Sequence, residues 1–534
     1  MTPSRALDLK LRPVISAQWI NLVLCVSLIS VAFALGRSAP PAVWVRSTII
    51  LIVSLFMVLC GLQMRRGRRW AYMRAKWIAI LGSIGFVGVA ALPGPFPAWM
   101  RIEQGGQALV FLALVWMLTR PQLASFFPLA KASNPVDEAN PPPPAGARDA
   151  SLDYLRAFIV LLVLLHHSML AYVDFWRAQP RTFAITSAPI VDPGHWAGFD
   201  IIAMFNDTFF MALMFLLSGL FVWSSLERKG SRKFLRDRAL RLGVPFVAVG
   251  ILAPLAYYPA YAVIGDHPGF RAYVHALLSL GYWPAGPAWF IWLLLFFDAI
   301  AAGLYALRHR WSKSARLQSL RAIQDRAPTF VPMLIVVSAV VYVPMELAFG
   351  AENWPILGPF SLQISRLFLY ATYFAVGIRL GAAGTQSGLL ARNAGLARRW
   401  PIWLAVGLGA FALRLAVVVA LILPVVTAHR PLPLIVRLLS DLTVVLCCGA
   451  ISVAFIALFR RFAVGHRSLF DSLSASSYGM YLVHYPVVVW LQFALLMVAL
   501  GPIAKGAIVF VGAVVLSWGS VVALRRVPVI ARVL

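Results

Sequence analysis

Apolar residues run along this chain in long blocks, separated by short polar segments. A helix that crosses a lipid bilayer needs about 20 mainly apolar residues. Blocks of this kind occupy residues 15–36, 43–64, 75–93, 105–119, 152–173, 204–225, 242–264, 286–307, 329–349, 360–380, 401–425, 433–458, 474–498 and 502–524. The pattern predicts an all-α integral membrane protein with about 14 transmembrane helices, four before residue 121 and ten after residue 150.

The composition supports the same class. Hydrophobic residues make up 61% of the 534 residues and charged residues 12%, with a mean hydropathy of +0.82. A soluble domain has about 45–50% apolar and about 25% charged residues, so an ordinary soluble fold is excluded. The four cysteines all lie inside apolar blocks without zinc-ligand spacing. We therefore expect small core residues, with no metal site and no permanently bound cofactor.

The net charge of +28 follows the predicted topology. With the N-terminus placed in the cytoplasm, the inner loops and the block ends next to them hold 35 of the 47 Lys and Arg residues, and the outer loops and their block ends hold nine. This bias is the positive-inside pattern of membrane proteins, and it predicts that both termini are cytoplasmic. It explains the basic charge better than a nucleic-acid partner does. The first block is too long for a signal peptide, and no A-x-A cleavage site follows it.

A proline-rich segment divides the chain. Residues 121–150 include four consecutive prolines, Pro141 to Pro144, among Asn, Asp and Glu residues. Consecutive prolines favour an extended polyproline II conformation. We predict a cytoplasmic linker here, which joins a four-helix N-terminal membrane module of unknown role (residues 1–120) to a ten-helix domain (residues 151–534).

The block at 152–173 contains ionisable residues at helical spacing. Eleven residues make almost three helical turns, so Arg156 and His167 lie about 20° apart in azimuth and about 16 Å apart along the axis. Asp153 and Asp174 fall on the same stripe, whereas His166 points away from it. A charge at mid-depth is costly, and such residues usually face a wet cavity or a partner. The alternatives are that Arg156 snorkels to the inner surface and that His167 makes an interhelical hydrogen bond.

Two further groups of polar residues lie inside apolar blocks. Ser477, Tyr481 and His484 form a stripe with i, i+4, i+7 spacing, which predicts either a second part of the site or a polar packing seam. Glu346, Arg366 and Asp441 fall toward the outer ends of their predicted helices. Together with Asp174 they predict an outward-facing acceptor pocket; the alternative is a set of charge pairs that stabilises the bundle.

From about residue 151 the chain resembles the acyltransferase 3 family of integral membrane acyltransferases. Arg156 and His167 match the R-x10-H signature of that family within LDYLRAFIVLLVLLHH. Four more segments resemble the family and follow in family order, namely FFMALMFLLSGLFVW at 209–223, RDRALRLGVPF at 236–246, GPAWFIWLLLFFD at 286–298 and SYGMYLVHYPV at 477–487. Many members also carry a C-terminal secreted SGNH domain, whereas this sequence ends after its last predicted span. The first 120 residues lie outside the family pattern.

The resemblance implies an O-acyltransferase that moves an acyl group from a cytoplasmic acyl-CoA to a glycan or lipid-linked sugar of the cell envelope. It implies that His167 is the catalytic histidine and that Arg156 acts on the donor side. His484 and Tyr481 would orient groups or transfer a second proton. The family implies acetyl transfer in many members, at a bacterial inner membrane. The segment at 205–219 is similar to the glucan-biosynthesis C branch, which implies succinyl transfer to periplasmic glucans. The alternatives are a transporter or flippase without covalent chemistry, and an inactive sensor or scaffold.

Overall fold

The computed structural model is helical over most of each apolar block of the sequence. It describes residues 3–35, 41–91, 98–127, 150–175, 183–184, 188–264, 269–284, 286–311, 327–351, 353–386, 388–463, 468–531 and 533. Within these ranges the only strands are β1 (Ile356–Leu357) and β2 (Phe360–Ser361), which pair as a two-residue antiparallel hairpin. The prediction of an all-α membrane protein is confirmed.

The α-helices are numbered in chain order. They are α1 (Pro3–Leu35), α2 (Pro41–Arg65), α3 (Arg69–Ala91), α4 (Ala98–Thr119), α5 (Pro121–Ala124), α6 (Ala150–Met169), α7 (Ala197–Gly219), α8 (Val222–Arg238), α9 (Val244–Ile264), α10 (Phe270–Leu278), α11 (Trp289–Trp311), α12 (Ala327–Phe349), α13 (Leu367–Ala383), α14 (Gly395–Arg398), α15 (Trp400–Val417), α16 (Leu423–Thr427), α17 (Leu434–Phe462), α18 (Ser468–Leu495), α19 (Pro502–Leu524) and α20 (Pro528–Ala531).

Every predicted block overlaps these helices, and several blocks extend past a helix end. The block at 204–225 runs past the end of α7, and its last residues belong to α8. The block at 360–380 begins in the hairpin, and α13 starts only after a 3-10 turn at Ile364–Arg366. Among the described residues ten helices are long and apolar enough to cross a membrane, or eleven if one bent pair is a single span. The total of 14 spans and the placement of both termini in the cytoplasm therefore stay predictions.

The chain divides into two compact units. The first comprises residues 1–141 and 339–351, and the second comprises residues 142–338 and 352–534. In the first unit, Leu123 and Phe127 pack into the core of the N-terminal helices, and Phe127 stacks on Tyr72 with ring centroids 4.7 Å apart. The start of the predicted linker is thus packed on the module. Residues 128–149 of the linker, including its four prolines, lie outside the described residues.

A close helix crossing organises the second unit. Glycines allow the backbones of α7 and α13 to approach each other. A Cβ atom on Gly377 would lie 2.1 Å from the carbonyl oxygen of Leu216, and one on Gly381 would lie 1.8 Å from that of Leu220. Gly377 and Gly381 are the two small residues of a G-x-x-x-G pattern, and Gly219 faces them from α7. The crossing brings the start of α13 beside the middle of α7.

Helix α6 lies among several partners in the second unit. It packs against α7, α17, α18 and α19, while α18 also packs against α9. Most of the side chains of α6 that face these helices are apolar and buried, for example Leu155, Ile159 and Leu164. The polar residues of α6 are therefore held at fixed places between its neighbours.

Candidate active site

Two histidines from different helices meet between α6 and α18. The rings of His167 and His484 lie 5.1 Å apart, centroid to centroid. The Nδ1 of His167 is 2.9 Å from the carbonyl oxygen of Val163, and the Nδ1 of His484 is 2.7 Å from that of Tyr481. A carbonyl oxygen can only accept a hydrogen bond, so Nδ1 carries the proton in each ring. The neutral forms of both rings therefore keep the lone pair on Nε2.

His484 is fully buried, and its Nε2 atom has no hydrogen-bond partner among the described residues. A buried polar atom without a partner is costly, and in native proteins it usually marks a site for water, a ligand or chemistry. The pair thus presents one lone-pair nitrogen from each of two facing helices, a geometry that can accept and pass a proton.

Aromatic residues surround this pair. The ring of Tyr485 meets that of His167 edge-on, with centroids 5.6 Å apart. The ring of Tyr257 in turn meets that of Tyr485, with centroids 5.9 Å apart. The hydroxyl of Tyr481 donates a hydrogen bond to the carbonyl oxygen of Pro287, and the hydroxyl of Ser477 donates to that of Ser474, one turn earlier on the same helix. Of the predicted stripe on α18, His484 alone therefore presents an unpaired polar atom; Tyr481 and Ser477 donate to main-chain carbonyls.

The end of α6 is held by two residues that sequence reasoning missed. The side-chain amide of Gln492 donates to the carbonyl oxygens of His167 (2.9 Å) and Ser168 (3.3 Å). The carboxylate of Asp200 accepts the backbone N–H groups of Asp174 and Phe175, both at 3.1 Å. These bonds satisfy backbone groups at the point where the helix stops. Gln492 could have been noticed in the sequence, because it is a glutamine inside an apolar block.

The other end of α6 carries the arginine of the signature. The Nη1 atom of Arg156 lies 3.1 Å from Asp153, one turn earlier, and its guanidinium lies over the ring of Phe221 at 5.2 Å. A second cation, Arg238, lies within electrostatic range of Arg156 and pairs with the fully buried Asp298 at 3.2 Å. The sequence showed Arg238 as part of a basic loop, but it could not show that this residue approaches Arg156.

His166 faces a different group from His167. Its ring lies 5.3 Å from that of Phe210, and Asp207 and Arg366 are within electrostatic range of it. Arg366 binds Asp207 through both terminal nitrogens, with Nη1 at 3.0 Å from Oδ1 and Nη2 at 2.5 Å from Oδ2. Its Nη1 also donates to the main-chain carbonyl of Asp207 at 3.0 Å. Asp207 is a site candidate that sequence reasoning missed, because no pattern within α7 shows that it meets Arg366.

The remaining members of the predicted acceptor pocket have different surroundings. Asp174 pairs with His195 just after the end of α6. Asp441 is buried on α17, beside Ser440, which accepts a hydrogen bond from Arg414 at 2.7 Å. Glu346 belongs to the other compact unit. Among the described residues, no group of three or more His, Cys, Asp or Glu side chains could hold a metal ion.

Apolar helices of membrane-spanning length, with two histidines that meet between α6 and α18, define a multi-pass membrane protein with a candidate active site. Residues 149–522 match the family model of the acyltransferase domain known as acyltransferase 3. The chain belongs to this family. It is therefore an integral membrane O-acyltransferase, which lies in a lipid bilayer and acts on an acceptor substrate. Neither a curated protein nor a solved structure gives a significant match.

Proposed function

We propose that the protein transfers an acyl group, acetyl or succinyl, from cytoplasmic acyl-CoA to a hydroxyl group of an envelope glycan or lipid-linked sugar, in a bacterial inner membrane. The observation that carries the proposal is the pairing of His167 with His484, in which both Nδ1 atoms are engaged and both Nε2 lone pairs are kept. A hydroxyl group becomes a useful nucleophile when a positioned base accepts its proton.

The reaction has a simple balance. The acceptor oxygen forms a bond to the thioester carbonyl carbon, and the bond from that carbon to sulfur breaks. The Nε2 of His167 accepts the hydroxyl proton, and the departing thiolate receives a proton to give free coenzyme A. His484, whose ring faces that of His167, is the residue that would orient the first imidazole or pass the second proton. No metal ion and no covalent acyl-enzyme are needed for this balance.

The donor assignment rests on the inner end of α6. Arg156 and Arg238 carry like charges within electrostatic range of each other, and like charges repel. An anion between them would relieve the repulsion, and guanidinium groups bind phosphates well. The phosphates of coenzyme A would occupy this end. The distance from Arg156 to His167, about 16 Å along the helix axis, leaves room for an extended arm that carries the thioester to the histidines.

The test uses the purified full-length protein in detergent or lipid vesicles. Radiolabelled acetyl-CoA and succinyl-CoA are supplied in turn, together with envelope glycans extracted from cells that lack the protein. We expect labelled glycan, whose mass spectrum shows the mass of one acetyl or succinyl group added. The matched control is the variant H167A. Release of the label from acyl-CoA without labelled glycan would show hydrolysis in place of transfer and would contradict the proposal. Movement of unmodified glycan across vesicles, with acyl-CoA left intact, would also contradict it and would favour transport without covalent chemistry.

A further inference from the structure

Asp207 combines an interior position with an accessible side chain. It lies in the middle of α7, and the ionisable groups that influence it electrostatically, those of Arg366, His166 and Arg414, come from three other segments of the second unit. Even so, 48% of its side-chain surface is accessible, whereas Arg366 is 10% accessible. An ionised carboxylate directed at lipid would be very costly. The accessible side of Asp207 therefore faces a cleft between helices.

The carboxylate in this cleft has unused hydrogen-bonding capacity. A carboxylate has about four lone-pair positions. The two terminal nitrogens of Arg366 use two of them and hold the group in one orientation. The rest remain on the accessible side. Next to this pair, the Nδ1 of His166 is buried and has no hydrogen-bond partner among the described residues.

Two consecutive residues of α6 face the histidine pair and this cleft. His166 and His167 follow each other on α6, with ring centroids 5.6 Å apart. His167 faces His484, while His166 faces the Asp207–Arg366 pair. A molecule bound at Asp207 would have to extend past His166 to present a hydroxyl group to the proposed base.

We propose that Asp207, held in place by Arg366, binds the acceptor through hydroxyl groups and selects a neutral polyhydroxyl acceptor, a sugar without carboxylate or phosphate near the reacting position. This rests on the proposed function. Hydroxyl groups donate to the free lone pairs of the carboxylate, and such charge-assisted bonds are stronger than neutral ones. An anionic group in the same place would meet the accessible negative charge and would be rejected.

A second ion pair shows what a purely structural pair looks like in this protein. Lys505 lies 2.7 Å from Asp192, and their side chains are 4% and 2% accessible. Both partners are sealed off, and Asp192 also accepts the backbone N–H of Gly194 at 2.8 Å. The Asp207–Arg366 pair differs because its carboxylate can be reached. Asp192 is therefore the matched control.

The experiment compares D207N with D192N in the full chain. Glycans from cells that lack the protein are separated by anion exchange into neutral and anionic fractions, and each fraction is titrated against a fixed concentration of labelled acyl-CoA. We expect wild-type protein to label the neutral fraction. In D207N the neutral-glycan concentration that gives half-maximal transfer should rise about 10- to 100-fold, the range for one hydrogen bond to a charged group. D192N should match the wild type in acceptor dependence; where the lone buried Lys505 prevents folding, D192N/K505Q takes its place. The Kd of acyl-CoA should be the same in the wild type, D207N and the control.

An unchanged acceptor dependence in D207N, or label in the anionic fraction alone, would overturn the assignment while leaving the proposed function in place. If the wild type labels neither fraction, the proposed function itself fails, and this inference fails with it. Should D207N lose acyl-CoA binding, the double variant D207N/R366Q removes both charges and avoids a lone buried arginine. Normal acceptor dependence in that variant, or loss of acyl-CoA binding in it as well, would show that the pair is structural and overturn the assignment.

Discussion

The N-terminal module and the acyltransferase unit both bury polar side chains inside apolar helices, but they bury different kinds. In the module the fully buried ones are mainly uncharged amides, such as Gln18, Asn21 and Gln107. Asn21 on α1 donates a hydrogen bond to Ser54 on α2 at 2.7 Å. Uncharged polar groups of this type join transmembrane helices at a modest energetic cost.

The acyltransferase unit instead buries ionisable groups, among them His484, Asp298 and Arg460. Burying a charge costs far more than burying an amide, and such residues in membrane helices usually pair with one another or serve function. Arg460 is tied to Ser151 at the start of α6, and Asp298 is paired with Arg238. The contrast indicates that the module is built for helix association, whereas the second unit contains the chemistry.

The largest test of this contrast is removal of the proposed base. We expect H167A to lower the rate of acyl transfer by about 10²- to 10⁴-fold, because that is the usual contribution of a positioned general base. H166A should retain much more activity, since its ring faces the Asp207–Arg366 pair and not His484. Transfer rates at saturating acyl-CoA, measured on equal amounts of folded protein, decide between them. Near-normal transfer by H167A would show that His167 is not the base.

The donor end gives the next largest effect. We expect R156A to raise the Kd of acyl-CoA about 10- to 100-fold, the range for loss of a hydrogen bond to a charged group. R156K keeps the charge but loses the planar fork, so it should also weaken binding, though less. Calorimetric titration of acyl-CoA into the purified variants gives the Kd values. A wild-type Kd in both variants would exclude a donor role for Arg156.

Two glycines allow a comparison of the two regions, because one packs against a helix backbone and the other against a side chain. A Cβ on Gly377 would lie 2.1 Å from the main-chain oxygen of Leu216, whereas one on Gly61 would lie 2.1 Å from the side-chain oxygen of Gln18. Two helix backbones cannot separate without loss of contacts, but a glutamine can rotate. We expect G377A to destabilise the protein by about 1–3 kcal/mol, typical of overpacking. G61A should cost less than this. Thermal unfolding of both variants in one detergent checks the difference, and equal shifts would contradict it.

The sequence predicted the helices well and the site in part. Long apolar blocks report helices directly, because each helix in lipid must satisfy its own backbone. The stripe of Arg156 and His167 followed from helical spacing within one segment. The meeting of His167 with His484, and of Arg366 with Asp207, depends on how helices pack, and no periodicity within one helix contains that information. Gln492 and Asp207 were missed for this reason.

The block ends were less predictable because apolar residues continue through helix breaks. Leu220 and Phe221 are as apolar as the helix before them, yet α7 stops at Gly219 and α8 starts at Val222. In the same way, Phe360 and Leu362 read as part of a span, but the chain forms a hairpin and a 3-10 turn before α13. Hydropathy reports burial in lipid or protein, and it says little about where hydrogen bonding within a helix ends.

The smallest expected effect is that of removing the module. Every segment that matches the family lies after residue 148, and the fully buried polar side chains of the module are mainly uncharged amides, of which Asn21 joins α1 to α2. A truncated chain that begins at Ala150 should insert into the membrane with α6 in the same direction, because the predicted linker returns the chain to the cytoplasm. It should bind acyl-CoA with the Kd of the full-length protein.

The alternative is that the module covers the acceptor entrance. In that case the truncated chain would bind acyl-CoA normally, but the glycan concentration needed for half-maximal transfer would change. Calorimetry with acyl-CoA and titration with the neutral glycan fraction, done on the same preparation, separate the two roles. A truncated chain that inserts stably but no longer binds acyl-CoA would show that the module belongs to the catalytic core. The buried amides of α1 and α4 would then have to be counted among the groups that support the site.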